Sequence, residues 1–371
     1  MSPKIVLFGA TGYTGARVAE AMTRRGLRPV LAGRDRSRLA GIADRLGGLP
    51  TGQADASDEA SVRALITKGD VLVSTVGPFT QLGESVIRAA IAEGAIYFDS
   101  TGEPPFIRRV FEQHGPAAER TGAALLTAFG NDYVPGTLAA AMALSEAGAA
   151  TAGVHSGYFL HGGGGQGFSK GTLRSLAGVV LEPMYSWRSG QLTSEPAGHS
   201  YRTFVVRGRP RPAISIGGTE QFALPRLAAT GLAPRLREVE SYLGWLGPLS
   251  KPIHLGSSLT PMIARNRQLA AGFAKLTGLV VNRVAEEPSA KGLAATTSYF
   301  FGEARDEAGS VLASVALTAP EPYAITADLL AWAADRAAAH GVAGTGALDA
   351  VSAFGLDTLR AGAAEARIRP V

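Results

Sequence analysis

At 371 residues the chain is longer than one ordinary hydrophobic core supports, so two domains are the starting expectation. An apolar fraction of 46% beside 18% charged residues is that of a well-buried globular chain and excludes wholesale disorder. Cysteine is lacking altogether, which removes disulfides, thiolate metal sites and cysteine nucleophiles together, and the net charge of +5 is spread along the chain rather than clustered as nucleic-acid binders cluster it.

The first residues run straight into a short apolar strand, residues 4–8, without the charged lead and long apolar core of a signal peptide. No stretch approaches ~20 uninterrupted apolar residues, so no membrane span is expected. A helix over residues 15–25 carries Val18, Ala19 and Met22 on one side. A strand at 28–32 and a helix at 36–46 repeat the pattern. Strands at 70–76, 96–99 and 123–127 then alternate with helices at 83–93 and 105–121. Short apolar runs separated by helical periods specify a parallel sheet covered on both faces.

Beyond Gly130 the texture changes. Alternating strands are expected at residues 152–160, 238–245, 294–301 and 310–318, the last two joined as a hairpin, with helices at 170–181 and 259–276. This is an α+β arrangement of helices on an antiparallel sheet. The glycine-rich residues 162–167 and the arginine-rich stretch at 207–212 read as loops. Arg202, Arg207, Arg209 and Arg211 crowd together there, as a solvated loop or as a landing site for an acidic carrier. A helix over 326–340, with Thr326 as N-cap, is expected to pack back on the first domain through Leu329, Leu330, Trp332 and Ala333. The expected domains are therefore residues 1–131, 132–325 and 326–371.

Directly after the first strand the sequence reads Gly9, Ala10, Thr11, Gly12, Tyr13, Thr14, Gly15 and then a helix. Glycine there has a steric purpose: one position turns sharply, one lets the backbone approach a pyrophosphate, and one lets helix and strand pack closely. The helix N-terminus adds free N–H groups and a partial positive charge. NAD sites place an acidic residue at the end of the second strand to hold the ribose hydroxyls. Here that point carries Arg34, with Arg38 close behind, and a guanidinium grips a 2′-phosphate that a carboxylate would repel. The reading is NADP, with Asp35 diverted to capping the second helix. Asp55, Val76, Gly77, Pro78, Phe79 and Gly102 complete the expected cofactor contacts, because ligands of open α/β sheets lie across the carboxyl ends of the strands.

Together these residues resemble the saccharopine dehydrogenase-like oxidoreductase family. The matching pieces are Gly9 to Gly15 with Ala32-Gly33-Arg34, then Val76-Gly77-Pro78-Phe79 with Gly83-Glu84. Tyr97-Phe98-Asp99-Ser100-Thr101-Gly102-Glu103 and Gly130-Asn131-Asp132-Tyr133-Val134-Pro135 follow. Ser169-Lys170-Gly171-Thr172, with Ser175 one turn on, looks like a further element of the family. The similarity is strong through Gly136 and faint beyond. It implies an N-terminal Rossmann domain, an inserted α+β domain that binds substrate and dimerises, and a C-terminal segment that returns to the first domain. It also implies NAD(P)-dependent reduction: of imines formed from amino acids in some members, and in others, similar to bacterial trans-acting enoyl reductases, of intermediates in polyketide-type lipid assembly. Where the family usually has Phe-Asp-Ser, this chain has Asn131-Asp132-Tyr133.

Hydride transfer asks the protein mainly to position the nicotinamide against a polarised C=N, C=O or C=C bond, with a proton donor or oxyanion partner to help. Asp132 and Tyr133 follow the last parallel strand, where the second domain begins, and are the expected donor or orienter. Lys170, opening a helix after the glycine loop, is the expected substrate anchor. His155 and His161, six apart along one strand face, stand ~20 Å apart, too far for one metal, and no metal is expected. The sequence thus reads as a cytoplasmic, homodimeric, NADPH-dependent oxidoreductase acting on a small or carrier-bound substrate. The alternative is an NADP-binding sensor without turnover.

Overall fold

Residues 3–162, 182–266, 268, 269, 271, 272, 275 and 289–371 are described by the structure, a computed structural model of the chain. By its internal contacts the chain divides into two units. One holds residues 1–101, 106–131 and 322–367, and the other holds residues 102–105, 132–321 and 368–371.

The first unit is built on seven strands: β1 (Ile5–Phe8), β2 (Val30–Gly33), β3 (Thr51–Gln53), β4 (Val71–Ser74), β5 (Ile96–Asp99), β6 (Ala124–Leu126) and β15 (Gly346–Ala347). Their order is β15-β6-β5-β4-β1-β2-β3, and every pairing is parallel. β1 and β4 are buried at all four positions, the signature of strands covered on both faces. Among the helices on this sheet are α1 (Tyr13–Arg24), α2 (Arg36–Arg45), α3 (Glu59–Arg63) and α4 (Phe79–Glu93). Val18, Ala19 and Met22 form the buried stripe of α1, and α4 stops at Gly94, whose φ of 64° makes a left-handed cap.

The late helix α12 (Pro322–His340) packs along α1 and touches β4 and β5, burying Leu329, Leu330, Trp332 and Ala333. It begins four residues before the expected start, because Pro322 itself opens it, where a missing N–H costs nothing. Thr326 is consequently not an N-cap. It lies inside the helix, where its hydroxyl donates to Pro322 O at 2.9 Å and accepts from Asn131 N at 3.1 Å. α13 (Ala350–Phe354) and α14 (Leu356–Glu365) complete this unit, and the Trp332 ring stands 4.9 Å from that of Phe354.

The second unit is a mixed sheet. Its strands are β7 (Gly153–His161), β8 (Met184–Arg188), β9 (Gln191–Glu195), β10 (Tyr201–Val206), β11 (Arg209–Ile216), β12 (Glu238–Leu243), β13 (Thr297–Arg305), β14 (Val311–Ala319) and β16 (Arg369–Pro370). The main path runs β10-β11-β12-β7-β13-β14-β16, with the β8–β9 hairpin attached to β12. The expectation of a purely antiparallel sheet is corrected at its centre, where β7 and β12 run parallel. A parallel pair needs a long crossover, and the chain between His161 and Glu238 supplies one that contains β8 to β11.

Of the arginine-rich stretch expected as a loop, Arg207 and Gly208 make the turn of the β10–β11 hairpin, and Arg209 to Pro212 belong to strand β11. Val206 pairs with Arg209, and Arg207 and Gly208 both take positive φ, 53° and 71°, as a tight two-residue hairpin loop requires. Pro210 and Pro212 hid this strand. They pair with β10, whereas only residues 214–216 of β11 pair with β12, so neither proline lies where both strand edges are bonded. The terminal residues 368–371, expected with the first domain, join this unit, where β16 pairs with β14.

α7 (Val134–Ala147) covers one face of this sheet so closely that a Cβ on Gly302 would stand 2.3 Å from the Ala139 backbone. Phe159, Phe204, Val206, Ala213 and Tyr242 form a core cluster of this unit. The helix expected at 170–181 lies outside the described residues. Of the one expected at 259–276, residues 260–265 are helical, Asn266 departs to extended backbone, and residues 268, 269, 271, 272 and 275 are helical again.

Candidate functional site

The turn after β1 is held by backbone bonds, with Gly9 N donating to Ala32 O at 2.8 Å and Gly12 N to Gly9 O at 3.0 Å. Its three glycines are required for different reasons. Gly9 has φ 88°, and a Cβ there would meet the Val76 side chain at 2.7 Å. On Gly15 it would stand 2.1 Å from Gly9 O, so the helix can approach the strand only without one. Gly12 has neither constraint: its backbone is extended, it is exposed, and a Cβ would meet nothing nearer than 3.4 Å. What its bare backbone leaves open is the space in front of the α1 N-terminus, where no side chain caps the first-turn N–H groups. That cradle fits a pyrophosphate. Thr75 secures it: its hydroxyl reaches Phe8 O and Gly9 O at 3.2 and 3.3 Å.

Tyr13 and Thr14 open α1. Tyr13 packs edge-on against Tyr323 at 5.1 Å, with the Arg17 guanidinium 5.0 Å from its ring centre. Arg34 follows β2 directly and is exposed. Asp35 caps α2, its carboxylate accepting from Ser37 N and Arg38 N, both at 3.0 Å. These bonds hold its pKa below the ordinary value and turn the one carboxylate at this strand end into the helix. Arg38 reaches back across the turn and donates to Thr11 O at 3.1 Å. Asp55 receives Ser57 N at 2.9 Å and Ser57 Oγ at 2.7 Å, bonds that lower its pKa, helped by the charge of Arg34.

Val76, Gly77 and Pro78 lie between β4 and α4, with Gly77–Pro78 cis and Gly77 exposed. Phe79 turns inward, its ring 5.8 Å from that of Phe106. Behind them Asp99, fully buried at the end of β5, accepts from Thr101 N and Ala128 N, both at 2.9 Å, and from Thr127 Oγ1 at 2.7 Å. Burial outweighs these donors and pushes its pKa up to about 6.

In the second unit the structure brings Gly102 and Asp132 together, since a Cβ on Gly102 would stand 2.6 Å from Asp132 Oδ2. Asp132 is half-buried and Tyr133 is N-cap of α7. Tyr133 is buried, and its hydroxyl donates to Gly217 O at 3.1 Å. Desolvation, with the charges around it, raises its pKa well above the usual value. Lys170 lies outside the described residues.

Sequence reasoning missed Glu220, which is fully buried at the start of α8 (Glu220–Leu227). Its Oε1 takes Ser156 Oγ at 2.8 Å and a close Tyr158 hydroxyl, its Oε2 has no hydrogen-bond partner, and desolvation raises its pKa. His155, Glu238 and Glu240 bring ligand atoms within 4.8 Å of one another, but protein donors already occupy them. Arg202 donates to His155 Nδ1 at 2.7 Å, so the ring proton sits on Nε2 and goes to Glu238 at 2.7 Å. Burial, the largest influence, lowers the pKa of this neutral ring. Arg188, Ser200 and Tyr242 all donate to Glu240. The cluster is an ionic network of the sheet.

Residues 5–126 match the family model of the saccharopine dehydrogenase NADP binding domain. Trans-acting enoyl reductases of Mycobacterium leprae and Mycobacterium ulcerans are 38% and 37% identical over 142 and 141 residues, in each case 36% of this chain and 34% of theirs. The chain thus spans about a third of the length of these curated relatives. Apo saccharopine dehydrogenase (L-Glu forming) of Saccharomyces cerevisiae superposes over 100% of this chain and 99% of its own, with TM-score 0.60 at 11% identity. Homospermidine synthase of Legionella pneumophila, solved with NAD, superposes over 100% and 91%, with TM-score 0.59 at 9% identity. Residues 5–126 thus match the NADP-binding domain of the saccharopine dehydrogenase family, and the chain shares the fold of saccharopine dehydrogenase.

Proposed function

We propose that the chain is an NADPH-dependent reductase that directs hydride to a polarised double bond, imine, carbonyl or enoyl, of a small or carrier-bound substrate. The observation that carries this reading is the exposed Gly12, bare of side chain where neither backbone nor packing demands it, beside two arginines and a diverted Asp35. NADPH when bound supplies the hydride. The chain's residues do the rest. The α1 N-terminus holds the pyrophosphate, Arg34 and Arg38 hold the 2′-phosphate, and the backbone around Gly77 borders the nicotinamide half. Asp132, partly accessible, is proposed to orient the substrate or pass it a proton. Tyr133, whose hydroxyl is engaged by Gly217 O, supports Asp132 rather than acting itself. The enoyl reductase names of the mycobacterial relatives favour a carrier-bound enoyl thioester among the three bond types.

The test has two stages. Fluorescence titration with NADPH and NADH is expected to show tighter NADPH binding. Turnover is then measured against imines, ketones and enoyl thioesters. Tight NADPH binding without turnover of any of them would make the chain a dinucleotide sensor, and failure to bind NADPH would overturn the reading altogether.

A further inference from the structure

Residues 241–285 contain no aspartate or glutamate, while Lys251, Arg265, Arg267, Lys275 and Arg283 give the segment five positive charges, as many as the whole chain's net excess. Part of it folds as a helical run on the second unit: α9 (Ser250–Gly256), a 3-10 turn at Ser257–Leu259, and α10 (Thr260–Arg265). One side of the run is fixed to the β10–β11 hairpin. Ser250 and Ser257 are buried there, Ile253 packs against Gly198, and His254 Nδ1 lies 2.9 Å from Gly198 O with its ring against Tyr201.

The other side reverses the usual amphipathic order. Leu255, Leu259 and Met262 recur at helical spacing and are 69%, 52% and 57% exposed, with Leu249 ahead of them 61% exposed. Single exposed leucines are ordinary, but an aligned apolar row on one helical face calls for an occupant. Lys251 and Arg265, both exposed, flank the row.

We propose that this ridge seats the protein on an anionic phospholipid surface. The apolar row enters the headgroup boundary while Lys251 and Arg265 meet lipid phosphates, the arrangement by which interfacial helices bind without spanning. No helix among the described residues is long and apolar enough to cross a membrane. Charge decides against a second copy of this chain as occupant. A two-fold contact through the ridge would set its cations near their own copies, with no acid in residues 241–285 to pair them.

The test uses the full chain, sedimented with vesicles of phosphatidylcholine alone or mixed with phosphatidylglycerol. Wild type is expected to bind the anionic vesicles, bind the neutral ones much more weakly, and release at high salt. Leu255→Gln with Met262→Gln should lower the partition coefficient at least about tenfold. Lys251→Gln with Arg265→Gln should lower it about tenfold and level the two lipid mixtures. All four side chains are exposed, so unchanged thermal melting is expected to show that the fold is intact. Wild type that fails to bind anionic vesicles, or a leucine–methionine variant that binds them normally, would overturn the proposal. Light scattering that found a wild-type dimer converted to monomer by these substitutions would also overturn it, making the ridge a self-association face.

Discussion

Asp99→Asn changes one atom in a fully buried site, and its effect on stability can be worked from the surroundings. Asp99 Oδ1 accepts from Thr101 N and Ala128 N, and Oδ2 from Thr127 Oγ1. An asparagine keeps the first two bonds on its carbonyl oxygen, and its amide can donate to the threonine hydroxyl, which both gives and accepts. What is lost is a buried charge whose desolvation lifts the folded pKa from 3.8 to about 6. A raised folded pKa means that the folded chain binds more protons than the unfolded one between those two values. The contribution to stability therefore falls as pH rises through the window and levels off above it. A rise of about two units corresponds to about 3 kcal/mol, the amount by which Asp99→Asn should exceed wild type at pH 8. Below about pH 3 the two should be equal, because Asp99 is then protonated in both the folded and the unfolded states. Guanidinium unfolding of both proteins across this range measures the difference. A gap that does not change with pH, or an asparagine variant less stable than wild type at pH 8, would refute the account of Asp99 as a carboxyl held against its charge.

Arg34→Ala should raise the NADPH dissociation constant about ten- to hundredfold, as expected for the loss of a charge-assisted phosphate contact worth about 1.5–3 kcal/mol, and leave NADH binding nearly unchanged; fluorescence titration reads both. Gly12→Ala and Gly15→Ala should separate binding from folding. The Gly12 variant should melt normally and bind NADPH weakly, whereas the Gly15 variant, with a methyl 2.1 Å from Gly9 O, should lose cooperative melting. Asp132→Asn should lower turnover with NADPH affinity intact, and Tyr133→Phe should leave turnover near wild type while costing about 1 kcal/mol of stability for its bond to Gly217; steady-state kinetics and melting distinguish the two.

Local chemistry decided what could be read from the sequence. The alternation of apolar strands and helices through Leu126 marks a parallel sheet because such strands are buried on both faces, and the glycine turn, Arg34 and the capping Asp35 declare themselves by spacing alone. The second sheet was legible only where its strands alternate regularly, as in β13, whose residues point in and out by turns. Pro210 and Pro212 disguised β11, because their tolerance depends on which neighbour strand is present, and no local pattern records that. The parallel pairing of β7 with β12 is set by residues far apart in the chain. Glu220 sits in an unremarkable Gly-Gly-Thr-Glu run, and only the fold shows that it is buried beneath Tyr158 and Ser156. The position of Tyr133 was legible, but its engagement by Gly217 O was not, since the partner lies 84 residues away.

The dependence of the nucleotide-binding unit on α12 and β15 has a consequence for the order in which the protein can be made. Synthesis delivers β1, the glycine turn and α1 first, yet the apolar stripe of α1 gains the cover of α12 only after residue 322 has been added, and β6 gains its outer neighbour later still. Until then a nascent chain carries an almost complete dinucleotide cradle on a helix with a side still to be covered by α12. The whole second sheet except β16 is translated in that interval. A ribosome-bound chain released early should therefore depend on chaperones, and NADPH should protect it from proteolysis only once α12 and β15 have left the exit tunnel.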